Sequence, residues 1–110
     1  MTLSKIKLKY KEADTDYWLL RGKFNMFHYV LTMTEDYKLI ADLLGSLLTA
    51  DGMDDDTNTI YVSDIFKTAI NTGALTDELK HKLMYALIEA DVPVGSIRWI
   101  ERNLLGKNKK

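Results

Sequence analysis

Residues 17–33 read Tyr-Trp-Leu-Leu-Arg-Gly-Lys-Phe-Asn-Met-Phe-His-Tyr-Val-Leu-Thr-Met, and the predicted fold class depends on this stretch. Residues 17–21 are aromatic or apolar up to Arg21, and Gly22 can end the element, so a strand is predicted there. Residues 26–33 fit a strand, with apolar side chains at alternate positions, and they also fit a helix that continues onward. Their aromatic and β-branched content favours a third strand.

Upstream of this stretch, residues 5–11 alternate lysine with apolar side chains, in the order Lys-Ile-Lys-Leu-Lys-Tyr-Lys. A period of two is typical of a strand with one face in water, and lysines protect such a strand at the edge of a sheet. This strand is expected to pair with 17–21 as an antiparallel β-hairpin. A strand over 26–33 would extend the hairpin to a three-stranded meander.

Helical periodicity follows residue 33. Thr34 is the predicted N-cap of a helix over 35–49, in which apolar residues recur every three or four positions. The remaining predicted elements are a polar loop over 51–58, a short strand over 59–62, and helices over 64–72, 77–90 and 96–105 that begin after Ser63, after Thr76 and at Ser96. The predicted fold class is α+β, with an N-terminal β-hairpin or three-stranded meander packed against about four α-helices.

Length and composition indicate one globular domain. The chain has 110 residues, of which 46% are hydrophobic, and we assign the domain to 1–106 and a basic flexible tail to 107–110. No apolar run approaches the roughly 18 residues of a membrane-spanning helix, so no membrane association is predicted. The chain contains no cysteine. Because small extracellular domains usually need disulfides, a cytoplasmic location is predicted.

Charge is unevenly distributed along the chain. Residues 34–64 contain eight acidic side chains and one basic side chain, whereas the rest of the chain contains eight acidic and fourteen basic ones. An acidic middle therefore lies between two basic ends, which bears on partners rather than on fold. Predicted helix N-termini account for Glu35, Asp36 and Asp64, but not for the carboxylates of the 51–58 loop.

Motifs for metal binding and catalysis are incomplete or missing. Asp54, Asp56 and Asn58 have the spacing of the first ligands in a calcium-binding EF-hand loop, but Thr59 and Ile65 occupy the positions that need glycine and glutamate. The two histidines are far apart in the sequence, and cysteine is absent. The chain has no nucleophile elbow, phosphate-binding loop or dinucleotide fingerprint. We therefore predict a non-enzymatic protein with no catalytic residues, no metal and no cofactor.

A helix-turn-helix pattern over 64–90 indicates an alternative function. Two predicted helices flank a turn that contains Gly73, as in many DNA-binding regulators. The second helix begins with Asp77 and Glu78, and carboxylates are poorly suited to a groove lined by phosphates. Nucleic-acid binding is therefore the alternative and is not favoured.

The favoured hypothesis is protein binding. The predicted partner-binding residues are four carboxylates, two tryptophans and two arginines: Asp51, Asp54, Asp55, Asp56, Trp18, Trp99, Arg98 and Arg102. Tryptophan and arginine are common interface anchors, and an acidic surface can occupy a partner's basic groove. We predict a small regulatory or assembly protein, such as the accessory proteins and inhibitors of phages and mobile elements, that binds another protein or forms a homodimer.

Overall fold

The computed structural model describes residues 15–50 and 52–106, and all regular structure in these two ranges is α-helical. The five helices are α1 (Thr15–Met33), α2 (Tyr37–Leu48), α3 (Asp55–Asn71), α4 (Asp77–Glu89) and α5 (Val94–Asn103).

The predicted α+β class is wrong, because the segments assigned to strands at 17–21, 26–33 and 59–62 are helical. The strand predicted over 5–11 lies outside the described residues, as does the tail. The first two segments form one continuous helix, α1, which Gly22 does not interrupt. A glycine inside a helix costs only about 1 kcal/mol relative to alanine, and burial of the apolar face of α1 outweighs that cost.

One face of α1 lines the core. Its buried residues follow one another at intervals of three and four positions and are Tyr17, Leu20, Phe24, Phe27 and Leu31. That spacing matches the helical period, so the five side chains form one stripe along the helix. Phe24 packs edge-on against Phe66 of α3, with the ring centroids 5.1 Å apart. Burial of each large apolar side chain contributes roughly 2 to 3 kcal/mol.

The helices share a single apolar core. α2 packs most extensively against α4 and α1, α3 contacts α1 and α2, and α5 packs on α4. The largest fully buried side chains are Phe27, Phe66, Leu20, Leu31, Ile40, Leu44, Leu47, Leu75, Leu83, Leu87, Leu105 and Val62. Each helix therefore turns one face to this core and leaves the opposite face exposed.

The helix predicted over 35–49 is confirmed as α2, with a different N-cap. Asp36 is the cap residue, and its Oδ1 accepts the Leu39 N–H at 3.2 Å. Thr34, the predicted cap, instead accepts the Asp36 N–H through its hydroxyl at 3.1 Å. A carboxylate at the N-cap also interacts favourably with the positive end of the helix dipole.

Helix α3 begins earlier than predicted. It starts at Asp55, within the predicted loop over 51–58, and continues through Ser63, which therefore caps no helix. Asn58 is buried in the first turns of α3, where its Nδ2 donates to the Leu48 carbonyl at 2.7 Å. This hydrogen bond docks the start of α3 on the end of α2, so tertiary contacts stabilise a helix in a segment with loop-like composition.

The N-cap predicted at Thr76 is confirmed. Its hydroxyl accepts the Leu79 N–H at 3.2 Å at the start of α4. Helix α5 begins directly after Pro93, which is its N-cap residue and makes no side-chain cap hydrogen bond. Ser96 therefore lies inside α5 instead of capping it.

Candidate functional site

The outer face of α1, opposite its core stripe, is apolar along most of its length. Five large apolar side chains on this face are 47% to 65% exposed: Trp18, Leu19, Met26, Tyr29 and Met33. Successive residues of an α-helix are about 100° apart around its axis, so these side chains and the intervening Gly22 fall within a sector roughly 100° wide. We call these five residues and Gly22 the outer stripe.

The outer stripe follows a seven-residue repeat. Leu19, Met26 and Met33 are spaced by seven positions, and Gly22 and Tyr29 occupy the intermediate positions. Alternating intervals of three and four are the pattern by which one helix packs along another. Between Leu19 and Met33 the stripe extends over about 21 Å of helix axis.

Neighbouring side chains orient Trp18 at the N-terminal end of the outer stripe. Its ring packs edge-on against Tyr17, with the centroids 5.5 Å apart, and the Arg21 guanidinium lies 5.7 Å from its ring centroid. Arg21 also donates to the Tyr17 hydroxyl at 3.4 Å. Trp18, a predicted binding residue, is thus about half exposed and held in position by its neighbours. Such an arrangement would lower the entropy cost of a contact made through its ring.

Charged and polar side chains border the outer stripe. Asp16 and Lys23, one of each sign, lie along one edge, and Asn25 and Thr32 lie along the other. The Thr32 hydroxyl donates to the Tyr29 carbonyl at 2.8 Å, a hydrogen bond within the helix. An apolar centre with a polar border is the usual arrangement of a protein–protein interface.

Residues 54–58 of the predicted acidic loop form the N-cap and the start of α3. Asp54 is the N-cap, with Oδ1 accepting the Thr57 N–H at 2.8 Å and Oδ2 accepting the Thr57 hydroxyl at 3.0 Å. These hydrogen bonds hold the pKa of Asp54 below its usual value of 3.8. Asp55 and Asp56 are exposed in the first turn, where the helix dipole favours carboxylates. Three of the four predicted carboxylates therefore have a local structural role, and Asp51 lies outside the described residues.

Helix α5 carries the other predicted binding residues. Arg98 and Arg102 are exposed and one helical turn apart, and Trp99 is 38% exposed on the same helix. Ile100 faces the core. α5 packs on α4 and not extensively on α1, so helix packing does not join Trp99 to Trp18. The structure brings Trp99 and the two arginines together and leaves Trp18 on a separate helix.

An open groove of about 850 Å³ lies between α3, the start of α4 and the residues that follow α5. Its polar side chains include Ser63, Asp64 and Lys80, and none of the described residues that line it is a histidine. Lys80 is paired with Asp77 at 3.3 Å. A serine nucleophile needs a general base, usually an imidazole, within hydrogen-bond reach. The described lining provides no such imidazole beside Ser63.

His28 makes a structural contact. Its Nε2 lies 2.7 Å from the Ala74 carbonyl oxygen, so the ring donates its N–H there and ties α1 to the turn between α3 and α4. The ring also stacks on Phe24, with the centroids 6.0 Å apart. In the part of the chain that the structure describes, no three His, Asp or Glu side chains are grouped closely enough to hold a metal ion.

A polar cluster fastens the α1–α2 connection to α4. Glu35 accepts a hydrogen bond from the Tyr37 hydroxyl and lies 3.6 Å from the Lys82 ammonium. The hydrogen bond from Tyr37, and then the charge of Lys82, hold the pKa of Glu35 below its usual value. The hydrogen bond to Glu35 is the main reason that the pKa of Tyr37 is raised to about 12. The Tyr37 ring packs edge-on against Tyr85 of α4, with the centroids 5.0 Å apart.

The predicted helix-turn-helix pair corresponds to the second half of α3 and to α4. These two helices pack chiefly against α1 and α2 and share little contact with each other. Asp77 and Glu78 are exposed at the N-terminus of α4, where a DNA reader would need groups that tolerate phosphate. DNA binding by this pair stays a prediction.

Comparisons with known proteins assign no family: no protein-family model matches the chain, and no curated protein or solved structure gives a significant match. Within 15–50 and 52–106, no helix is both long and apolar enough to cross a membrane. The functional interpretation therefore depends on the surfaces of the helices.

Sequence reasoning found Trp18 and missed the other members of the outer stripe. The missed apolar residues are Leu19, Met26, Tyr29 and Met33. The strand assignments divided them between two elements, so they did not appear as one surface. The signal that identifies them is the seven-residue spacing of Leu19, Met26 and Met33, which a strand does not require.

Proposed function

We propose that this protein is a non-enzymatic binding module that acts by packing the outer stripe of α1 against another protein surface. The observation that carries the proposal is the exposure of five large apolar side chains along one helix face. At roughly 150 to 250 Å² for a large side chain, together they expose on the order of 600 Å². The largest apolar patch of an ordinary monomer is about 300 to 600 Å² and is often functional.

The chemistry of the outer stripe suits a helical or grooved partner. Trp18 and Tyr29 provide large amphipathic rings, the side chains that most often dominate binding energy. Met26 and Met33 are flexible and adapt to irregular surfaces. At Gly22 an added Cβ would meet no atom within 4 Å, so the backbone there is open to close approach by a partner.

Charged groups on other helices are additional candidate contacts, separate from the outer stripe. Asp55 and Asp56 are exposed at the start of α3, and Arg98 and Arg102 are exposed on α5. Exposed charges of this kind change the association rate of a complex and its salt dependence more than its affinity. A regulatory or assembly role and a cytoplasmic location complete the proposal, the latter because the chain has no cysteine.

The test compares two exposed apolar positions on different helices. Tyr29→Lys alters the outer stripe, and Ile88→Lys is the matched control on α4, because both native side chains are about 60% exposed. Tagged chains are used to capture proteins from the native cell, and the captured proteins are quantified by mass spectrometry. Proteins retained by the wild type and by Ile88→Lys should fall at least tenfold with Tyr29→Lys.

A third chain tests the acidic residues separately. It combines Asp54→Asn, Asp55→Asn and Asp56→Asn, and asparagine keeps the N-cap of α3 because it caps as well as aspartate. Loss of captured proteins in this chain alone would place the interface on α3 and refute the outer stripe as the binding surface. Equal capture by all chains would refute both surfaces.

A further inference from the structure

We infer that the surface bound by the outer stripe is the outer stripe of a second copy of this chain, so that α1 and its counterpart form the core of a two-fold symmetric dimer. This inference rests on the proposed function and names the partner of the same site. Four properties of α1 carry it: the repeat, the position of Gly22, the exposed area and the charge.

The seven-residue repeat identifies the kind of partner. Side chains spaced alternately by three and four residues pack along a second helix that has an apolar seam of similar length. The outer stripe is such a seam and is about 21 Å long. The required partner is a helix with an apolar seam of similar length. Because the outer stripe is itself such a seam, a second copy of this chain can be that partner.

The position of Gly22 selects an antiparallel arrangement. When the two helices run in opposite directions about a two-fold axis, Leu19 of one copy lies opposite Tyr29 of the other, and Gly22 lies opposite Met26. Each methionine then fills the space left by a glycine, and the symmetry makes this contact twice. In a parallel pair Gly22 would face Gly22 and leave a hole, which close packing disfavours.

The exposed area is sufficient for a reversible dimer. Stable interfaces bury about 800 Å² on each partner, and the outer stripe offers on the order of 600 Å² on each copy before its polar border is included. An interface at the lower end of this range is expected to dissociate on dilution into the micromolar range.

Charge does not oppose the association. The chain has a formal net charge of −1, so two copies repel each other weakly. The members of the outer stripe are uncharged, and Lys23 lies at its edge close to the two-fold axis. Because two lysines then approach each other, added salt should leave the dimer intact or strengthen it.

The experiment measures the mass of the full chain by sedimentation velocity from 1 to several hundred micromolar. The expected mass rises from the 12.6 kDa of one chain to twice that value. Met26→Lys should raise the dissociation constant at least a hundredfold, and Ile88→Lys should leave it unchanged. Gly22→Leu should weaken the dimer at least tenfold while increasing the melting temperature of the monomer, because leucine is the better helix former and blocks the space for Met26.

Engineered thiols test the orientation. The chain has no native cysteine, so Thr15→Cys and Met33→Cys each introduce one thiol, at opposite ends of α1. In an antiparallel pair a mixture of the two variants forms a disulfide-linked heterodimer, and Thr15→Cys alone does not self-link. Self-linking of Thr15→Cys without the heterodimer would overturn the antiparallel arrangement.

The remaining outcomes separate this inference from the proposed function. A chain that stays monomeric at every concentration overturns the second copy as the partner. If Tyr29→Lys still abolishes capture of another protein from the cell, the proposed function stands without the dimer. If Met26→Lys lowered the melting temperature of the monomer, the outer stripe would be covered within the chain. That result would overturn both the proposed function and the dimer. A dimer that survives Met26→Lys would place the self-interface elsewhere.

Discussion

Helices α1 and α4 both bury one apolar stripe in the same core, yet their opposite faces differ. The outer face of α4 mixes Asp77, Glu78 and His81 with Tyr85 and Ile88, which is ordinary for a helix that faces water. The outer face of α1 carries the outer stripe. The part of an apolar side chain that stays exposed to water adds nothing to the stability of the monomer. The difference between the two helices therefore supports α1 as the proposed binding surface.

The strongest test of this comparison separates the two faces of α1. Phe27 is fully buried and Tyr29 is 63% exposed, although they are two residues apart. Phe27→Ala should lower the free energy of unfolding by about 3 to 5 kcal/mol, through lost burial and a cavity. Tyr29→Ala should change the free energy of unfolding of the monomer by less than about 0.5 kcal/mol. Urea unfolding of dilute protein, followed by circular dichroism, measures both values.

Two outcomes of that measurement would contradict the description of α1. Equal losses for Phe27→Ala and Tyr29→Ala would show that both faces are buried in the monomer. A larger loss of unfolding free energy for Tyr29→Ala than for Phe27→Ala would show that Tyr29 faces the core and Phe27 faces solvent, so that α1 is rotated about its axis. Leu83→Ala on α4 is the matched core control, since Leu83 is fully buried and should cost about 2 to 5 kcal/mol.

The same difference explains which helices could be predicted from sequence. Helix α4 has an apolar stripe on one face, polar residues on the other and an N-cap at Thr76, so its helical periodicity can be recognised in the sequence. In α1 the core stripe and the outer stripe together make apolar residues frequent on both sides. A helix with two apolar faces loses the contrast on which periodicity depends, and short parts of it resemble a strand. Local propensity then favoured strand, and tertiary packing overrode it.

Helix α3 was partly predicted for a related reason. Its second half, with Ile65, Phe66 and Ala69 buried, has clear helical spacing. Its first turn, from Asp55 to Asn58, is polar, and polar residues are common both in loops and at helix N-termini. The contact between Asn58 and the carbonyl of Leu48 at the end of α2 joins two different helices, so the local sequence pattern does not reveal it. The predicted carboxylates could therefore be identified, but not their role as N-cap and first-turn residues.

A smaller effect tests the start of α4. Thr76→Ala removes the acceptor of the Leu79 N–H and should lower the free energy of unfolding by about 1 kcal/mol. Thr76→Ser keeps the hydroxyl and should cost only a few tenths of a kcal/mol. Urea unfolding of the two variants distinguishes a capping role from a packing role of the threonine methyl group. If Thr76→Ala and Thr76→Ser lost similar amounts of unfolding free energy, the effect would come from the methyl group, and the hydroxyl cap would not stabilise α4.

The smallest effect concerns pH and the cluster that fastens α2 to α4. The folded-state pKa of Glu35 lies below its usual value of 4.5, so its contribution to stability is present above pH 4.5 and is lost as the pH falls through the lowered pKa. The pKa of Tyr37 is raised from 10.0 to about 12. Its contribution is therefore present below pH 10 and is lost as the pH rises from 10 towards 12.

Both contributions should be modest, because the groups face solvent and their interaction is screened. The measurement is the melting temperature between pH 3 and 12 for the wild type and for Tyr37→Phe. The melting temperature of the wild type should exceed that of Tyr37→Phe by the largest amount between pH 5 and 10. This difference should become smaller below pH 5 and above pH 10. Glu35→Gln should reduce the pH dependence of the melting temperature on the acid side and on the alkaline side together, because one hydrogen bond lowers the pKa of Glu35 and raises the pKa of Tyr37. If Glu35→Gln changed only the acid side of the melting-temperature profile, Glu35 and Tyr37 would not act as a pair. The contact between α2 and α4 at this point would then consist of the packing of Tyr37 on Tyr85.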